Sequence, residues 1–219
     1  MNEKNSASSC MICGGETSPL FDEKIKVVYD VCTVCGFTYK QPRFHPTPEQ
    51  EKTLYDFHDN SMENAGYVTM LKTFLDHAVL PYIQSGDALD FGSGPGPVLH
   101  ELTKRAGFHA EHYDPFYHPQ SDYENKTYDL ITATEVFEHL SQPLKTMSKL
   151  SGLLKPGGYL AISTSLRPED DQAFLTWWYR RDETHIGFFT PKALAHLIRD
   201  VPLKRVYTNH KNHFTFKKE

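Results

Sequence analysis

Four cysteines, Cys10, Cys13, Cys32 and Cys35, stand in two C-x-x-C-G pairs, CMICGG and CTVCGF. Two such knuckles present four thiolates, the donor set of a tetrahedral zinc ion. The glycine after each second cysteine permits the tight knuckle turn. The spacer of 18 residues between the pairs suits a four-cysteine zinc site. Four sulfur ligands leave no open coordination position, so the expected zinc is structural and not catalytic. A redox dithiol and an iron cluster are the alternatives. Every cysteine falls within the first 35 residues, which suits a reducing compartment better than a disulfide scaffold.

A second concentration of chemistry begins at ALDFGSGPGPVLHEL, residues 88–102. Gly92, Gly94 and Gly96 lie between an apolar strand and a helix. There a ligand can approach the backbone, and the helix N-terminus offers unpaired N–H groups. Strand-to-helix turns use glycine freely, so the run alone is weak evidence. Two acids strengthen it: Asp90 precedes the first glycine by two positions, and Asp114 closes the next strand, 22 residues after Gly92. A carboxylate at that strand end can accept hydrogen bonds from both hydroxyls of a ribose; the plainer reading of Asp114 is a turn former before Pro115.

Further on, Glu135, Glu138 and His139 fall on one face if a helix starts near Glu135. The stretch TWWYRRDETHIGFF sets Trp177, Trp178, Tyr179, His185, Phe188 and Phe189 among charges, a composition that suits a pocket lid. An amphipathic helix packed on a sheet, with His185 satisfied in a loop, is the alternative. His109 and His112 lie two-periodically out of phase on a strand and point to opposite faces, so they are not joint metal ligands.

These residues need a frame. Residues 1–46 hold the cysteines and strand-like segments such as KIKVVYDV, and PRFHPTP then breaks regular structure. Residues 47–85 read as a helical connector, with Val68, Leu71, Leu75 and Val79 at helical spacing. From residue 86 strands and helices alternate: DALDFG, PVLHELTKRAG, HAEHYD, YDLITATE, a helix over EVFEHLSQPLKTMSKLSGLL, PGGYLAISTSL, TPKALAHLIRD and a terminal hairpin. That alternation predicts an α/β fold with a mostly parallel sheet covered on both faces.

LDFGSGPG, YDP, YDLITATEVFEHL and LLKPGGYLAIST, in this order and spacing, resemble the motifs of class I S-adenosylmethionine-dependent methyltransferases. The resemblance covers residues 65–219 and is specific for the superfamily, not for a substrate. It implies a Rossmann-like sheet whose last strand is reversed. It also implies S-adenosylmethionine as cofactor, with Gly92, Ser93, Gly94 and Gly96 cradling it. Asp90 would hold its amino end through water, and Asp114 with Pro115 its ribose. Thr134 and Glu135 would border the sulfonium. Tyr67 would cover the cofactor, or else is a core tyrosine. Glu135, His139 and His185 are the catalytic candidates, the histidines as base or acceptor contact. Dehydrogenases share the early glycines and the ribose acid but not EVFEHL followed by LLKPGGYL. One departure stands out: the stretch from Asp114 to Asp129 is too short for the helix and strand this class normally carries there. The source of the adenine contact is therefore open, and Phe116, Tyr117 or Tyr123 are the substitutes on offer.

The 219-residue chain carries a formal net charge of −5. Nucleic-acid binders are more often basic. Within residues 1–50, five basic side chains from Lys4 to Arg43 face six acidic ones from Glu3 to Glu49. A ribbon that tracks phosphates would be more basic, so the cysteine module gives little support to a nucleic-acid partner. No apolar run reaches the roughly 18 residues of a membrane span, and the N-terminus lacks an apolar signal core. The expectation is a cytoplasmic enzyme that methylates a small molecule, aromatic or sugar-like. An RNA or protein methyltransferase docking its substrate on the ribbon is the alternative, and a non-catalytic cofactor-binding module is a third reading. Oligomeric state is not legible.

Overall fold

The computed structural model describes residues 9–57 and 59–219. The first eight residues of the N-terminal module, Glu3 and Lys4 among them, lie outside the described residues.

A six-stranded sheet forms the centre. Its strands are β4 (Asp87–Phe91), β5 (His109–Tyr113), β6 (Tyr128–Thr134), β7 (Leu154–Ser163), β9 (Leu203–Thr208) and β10 (His213–Lys218), in the order β5-β4-β6-β7-β10-β9. β4 pairs in parallel with β5 and β6, and β6 with β7, while β10 runs antiparallel to both β7 and β9. The parallel body and the reversed last strand are those expected from the sequence. β5 is an edge strand. Between it and β6 lies only a 3-10 turn at Tyr123–Asn125, which is the shortened middle seen as spacing.

Side chains that alternate along the strands feed two separate cores. Ala88, Leu130 and Ala161 pack with Leu71, Leu75 and Val79, and with Val98 and Leu99. These come from α2 (Ala65–Phe74), the π turn that continues it (Leu75–Val79), and α3 (Val98–Arg105). Leu89, Ile131, Leu160 and Ile162 face the other way. They meet Met147 and Leu150 of α4 (Pro143–Leu153) and Ala193, Leu194 and Leu197 of α6 (Pro191–Leu197). α1 (Pro48–Tyr55) begins with a full capping box at Thr47 and Gln50.

The cysteine module forms a second, four-stranded sheet. β1 (Thr17–Asp22), β2 (Val27–Cys32) and β3 (Thr38–Lys40) pair antiparallel, and the fourth strand comes from far along the chain: β8 (Gly187–Phe188). A buried ion pair, Arg180 Nη1 to Asp22 Oδ2 at 2.8 Å, ties the same two regions together. Arg167 Nη1 donates to Thr38 Oγ1 at 2.8 Å, and Thr190 Oγ1 donates to the Cys35 carbonyl. The ribbon therefore carries one wall of the larger unit.

Two sequence expectations change. The helix over EVFEHLSQPLKTMSKLSGLL begins only at Pro143; before it, Glu135 is left-handed (φ 53°) and Phe137–His139 form a 3-10 turn. The proline starts a helix well but cannot sit inside one. The Glu138 carbonyl is moreover engaged by the Ile186 N–H at 2.8 Å. The one-face arrangement of Glu135, Glu138 and His139 thus does not come from a helix. TWWYRRDETHIGFF is likewise not one element. α5 (Asp171–Thr176) ends inside it, a 3-10 turn follows at Tyr179–Arg181, and β8 closes it.

Candidate active site

β5 lies to one side of β4 and β6 to the other, so the strand order reverses at β4. Ligands bind in the crevice outside the strand C-termini at such a point. A cavity of about 530 Å³ opens there, within the range of cofactor and small-molecule sites. Tyr67, Asp90, Gly92, Ser93, Gly94, Asp114, Pro115, Thr134, Glu135, His139 and His185 all line it. Gly96 does not.

The glycines answer two different demands. Gly92 (φ 78°) and Gly94 (φ 67°) are left-handed, a conformation that L side chains rarely adopt. A Cβ on Gly92 would come within 2.5 Å of Val136 Cγ2. At Gly96 a Cβ would fall 1.7 Å from the carbonyl oxygen of Asn60, so this glycine makes room for the chain's own backbone. The loop is pinned to β5: the N–H groups of Gly92 and Ser93 donate to the Tyr113 carbonyl at 2.8 and 3.1 Å. Asp114 completes the pinning. Its Oδ2 accepts from Gly94 N–H at 2.9 Å, and its Oδ1 accepts from the N–H groups of Phe116 (2.9 Å) and Tyr117 (3.1 Å). Oδ2, with a single donor, keeps capacity for a further one, whereas Oδ1 already accepts two. Ser93 Oγ is buried beside the cavity and has no hydrogen-bond partner among the described residues.

Asp90 is buried and accepts from Thr132 Oγ1 at 3.1 Å; burial pushes its carboxyl up to about 7. Burial also raises the Tyr67 phenol above its ordinary range. Tyr67 packs against the Leu71 core and also lines the cavity.

Beside the glycine loop, where Val136 abuts Gly92, stands a buried acid pair. Glu135 accepts from Ser163 Oγ at 2.9 Å and from the Tyr179 hydroxyl at 2.8 Å. That hydroxyl also touches Glu138 Oε1, and Glu138 is fully buried. Burial raises both carboxyls, and for Glu138 the nearby Glu135 raises it further.

His139 and His185 stand side by side, ring centroids 4.7 Å apart. His139 Nδ1 lies 3.0 Å from the Thr184 carbonyl, and His185 Nδ1 2.8 Å from that of Tyr179. Asp182 Oδ2 is 3.8 Å from His185 Nε2. Burial opposes ionisation of Asp182, but His185 and the Thr184 hydrogen bonds outweigh it and hold the carboxyl below its usual range.

Of the three aromatics proposed to replace the adenine contact, only Phe116 lines the cavity. Tyr117 donates its hydroxyl to Asp56 Oδ1 at 2.7 Å, and Tyr123 is buried against Tyr113. His109 is exposed, while His112 meets His100 and His118, so those two do not converge. Tyr55 and Asn60 are cavity residues the sequence did not reveal. Both come from the connector, where no motif marks them.

The four cysteines converge without a disulfide. Cys10 and Cys35 Sγ are 3.8 Å apart, Cys13 and Cys32 Sγ 3.4 Å. The N–H groups of Ile12, Val34 and Cys35 point at these sulfurs, each at 3.4 Å.

A family profile described as "Methyltransferase domain" matches residues 67–207. The chain belongs to the methyltransferase domain family. Its fold is that of the class I S-adenosylmethionine-dependent methyltransferases. Curated relatives named ubiquinone biosynthesis O-methyltransferase match shorter stretches. The protein from Vibrio atlanticus is 24% identical over 126 residues, 54% of this chain and 53% of that one. The one from Aliivibrio fischeri is 29% identical over 76 residues, 35% of this chain and 32% of the relative. The chain thus spans between a third and about half of these relatives' length. Among solved structures, the mitomycin 7-O-methyltransferase MmcR aligns with TM-score 0.55 and 11% identity, over 80% of this chain and 59% of that one. An O-methyltransferase family 2 protein from Planctomyces limnophilus, in complex with apigenin, aligns at 0.52 and 16%, over 78% and 62%. These two likenesses show the fold. Among the described residues of this methyltransferase-family chain, no helix is long and apolar enough to cross a membrane.

Proposed function

We propose that the protein transfers the methyl group of S-adenosylmethionine to an oxygen of a small molecule with an aromatic or sugar-like body. The observation that carries this reading is the cavity at the switch point. One half is a glycine cradle with an unpartnered Ser93 hydroxyl and an Asp114 carboxylate with spare acceptor capacity. The other half is walled by Tyr55, Phe116, Trp178 and Tyr179. The donor set fits the cofactor. Gly92–Gly94 would take the methionine part, Asp90 its amino end, and Asp114 with Pro115 the ribose. Thr134 and Glu135 would face the reacting end, beneath Tyr67. When bound, the cofactor supplies an electrophilic methyl group.

The protein's own part is alignment and exclusion of water. The tyrosine-capped acid pair keeps the floor rigid. His139 and His185, each oriented through Nδ1, present the acceptor side. An imidazole there can take the acceptor's proton, a contribution of about 10²- to 10⁴-fold. The names of the Vibrio and Aliivibrio relatives support oxygen as the acceptor atom.

The four cysteines support a structural zinc ion. A tetrahedral ion with Zn–S bonds of about 2.3 Å sets sulfurs about 3.8 Å apart, close to the 3.4 and 3.8 Å found. Its role is to hold β1–β3 in shape so that β3 can pair with β8, next to His185. That gives the module work in the fold without a docked macromolecule. The confinement of all four cysteines to the first 35 residues supports a reducing compartment, and we place the protein in the cytoplasm.

The test is transfer of label from methyl-labelled S-adenosylmethionine to a panel of catechols, phenols and nucleotide sugars, with total RNA and protein as further arms. Label in a small molecule supports the reading. Label only in RNA or protein overturns the acceptor class.

A further inference from the structure

The acceptor half of the cavity is acidic and aromatic. Both flanks of the 3-10 turn Tyr179–Arg181 line it: Trp178 caps the turn at one end and Asp182 at the other. The turn is fixed in place, since Arg180 pairs with buried Asp22 and the Tyr179 hydroxyl donates to Glu135. Asp182 Oδ1 accepts from the Thr184 N–H at 2.9 Å and from the Thr184 hydroxyl at 2.5 Å. Asp182 Oδ2 stands 3.8 Å from His185 Nε2, beyond hydrogen-bond reach, and keeps capacity for a donor. Glu51 lines the same cavity from α1, 131 positions earlier. Its Oε1 accepts from the Tyr55 hydroxyl at 2.7 Å. After burial, Glu51 and then Asp182 raise the Tyr55 phenol above its ordinary range, so both carboxyls face this tyrosine. Trp178 is 68% exposed and leaves most of its indole accessible at the mouth. The other cavity carboxyls, Asp90, Asp114 and Glu135, belong to the cofactor half. Among the described lining residues, the charged side chains other than histidine are therefore all acids. Ser93 is the independent sign that the cavity receives a ligand, because its buried hydroxyl has no partner among the described residues.

We propose that the methyl acceptor carries an ammonium group, which Asp182 and Glu51 bind beside the face of Trp178. The assignment rests on the methyl-transfer reading above and narrows its acceptor class to amine-bearing phenols and catechols and to free amino sugars. Asp182 is a carboxylate at neutral pH: burial opposes its ionisation, but His185 and the Thr184 hydrogen bonds outweigh it. Hydrogen bonds between ionised partners are stronger than neutral ones. Aromatic faces attract cations, tryptophan most of all. An ammonium nitrogen has no lone pair, so it does not attack the methyl group; it anchors the acceptor while a hydroxyl is methylated. A nucleoside diphosphate sugar would bring its phosphate charges among these carboxylates, and like-charge repulsion disfavours that.

The folded full chain is first titrated with S-adenosylhomocysteine by calorimetry. The complex is then titrated with two matched series: dopamine, ethylcatechol and dihydroxyphenylacetate, and glucosamine, glucose and glucuronate. The ammonium member of one series should bind at least tenfold more tightly than its neutral and anionic counterparts. Asp182→Asn and Glu51→Gln, each checked for folding by circular dichroism, should each reduce that preference by about threefold or more. Tighter or equal binding of a neutral or anionic member in both series overturns the proposal. So does failure of every member to bind, or a preference that neither substitution reduces. If S-adenosylhomocysteine itself does not bind, the methyl-transfer reading falls and the acceptor class with it. Its binding without an ammonium preference removes this inference alone and leaves that reading standing.

Discussion

Gly92→Ala separates two effects that meet at one atom. The residue sits at φ 78°, and its new Cβ would lie 2.5 Å from Val136 Cγ2. Left-handed backbone costs an alanine about 1–2 kcal/mol. Carbon atoms prefer separations of about 3.5–4.0 Å, so the contact is overpacked, an effect of about 1–3 kcal/mol. Val136 is β-branched and cannot swing aside freely. Together the substitution should destabilise the fold by about 2–5 kcal/mol. Val136→Ala, which removes two largely buried methyl groups, should cost about 2 kcal/mol by itself. In the Val136→Ala background the clash is gone, and Gly92→Ala should then cost only the backbone part, about 1–2 kcal/mol. Urea unfolding of the four proteins gives the coupling energy, expected at about 1–3 kcal/mol. A Gly92→Ala cost below about 0.5 kcal/mol, or one identical in both backgrounds, would refute this reading of the loop.

Asp90 makes stability depend on pH. Its carboxyl rises from 3.8 to about 7 in the fold, so between those values the native state holds a proton that the unfolded chain has lost. Stability attributable to this group is present below pH 3.8 and falls as pH rises toward 7. Asp90→Asn keeps the acceptor for Thr132 and removes the dependence. Its urea midpoint should therefore gain on wild type from pH 5 to 7.5, and parallel profiles would contradict this. Arg180→Met leaves Asp22 buried without its partner and should destabilise by about 3–5 kcal/mol, whereas a double replacement of Arg180 and Asp22 by apolar residues should recover most of that; a cost under 1 kcal/mol in chemical denaturation would show the pair to be idle. Elemental analysis should find one zinc per chain on the four cysteines, and stripping it should loosen β8 together with β1–β3 in hydrogen exchange; protection unchanged at Gly187 and Phe188 would break the link between ribbon and sheet.

The sheet was readable because strands and helices alternate with clear apolar runs, and because β4 and β6 end at recognisable residues. The glycine loop and Asp114 were readable for the same reason: local backbone demands leave a mark on residue type. What lay hidden depends on contacts between distant segments. Gly96 reads as part of a ligand cradle, yet its reason is Asn60, 36 positions earlier. The periodicity of EVFEHLSQPL suggests a helix from Glu135, but Pro143 and the bond between Glu138 and Ile186 move its start eight residues on. β8 is two residues long and pairs with β3 some 150 positions away. No local pattern marks so short a strand. The bridge from Tyr179 to Glu135 and Glu138 was hidden in the same way, because the tyrosine comes from a separate turn 44 and 41 positions on.

Calorimetric titration of the folded full chain with S-adenosylhomocysteine, repeated on Asp114→Ala, bears most directly on the proposed cofactor site. Asp114 would give the ribose charge-assisted hydrogen bonds worth about 1.5–3 kcal/mol each, so their loss should weaken binding at least tenfold. Circular dichroism confirms that the variant, which also frees three loop N–H groups, remains folded. Binding by wild type that weakens at least tenfold in Asp114→Ala is the predicted result. Absence of binding by folded wild type, or equal affinity in the variant, would contradict it.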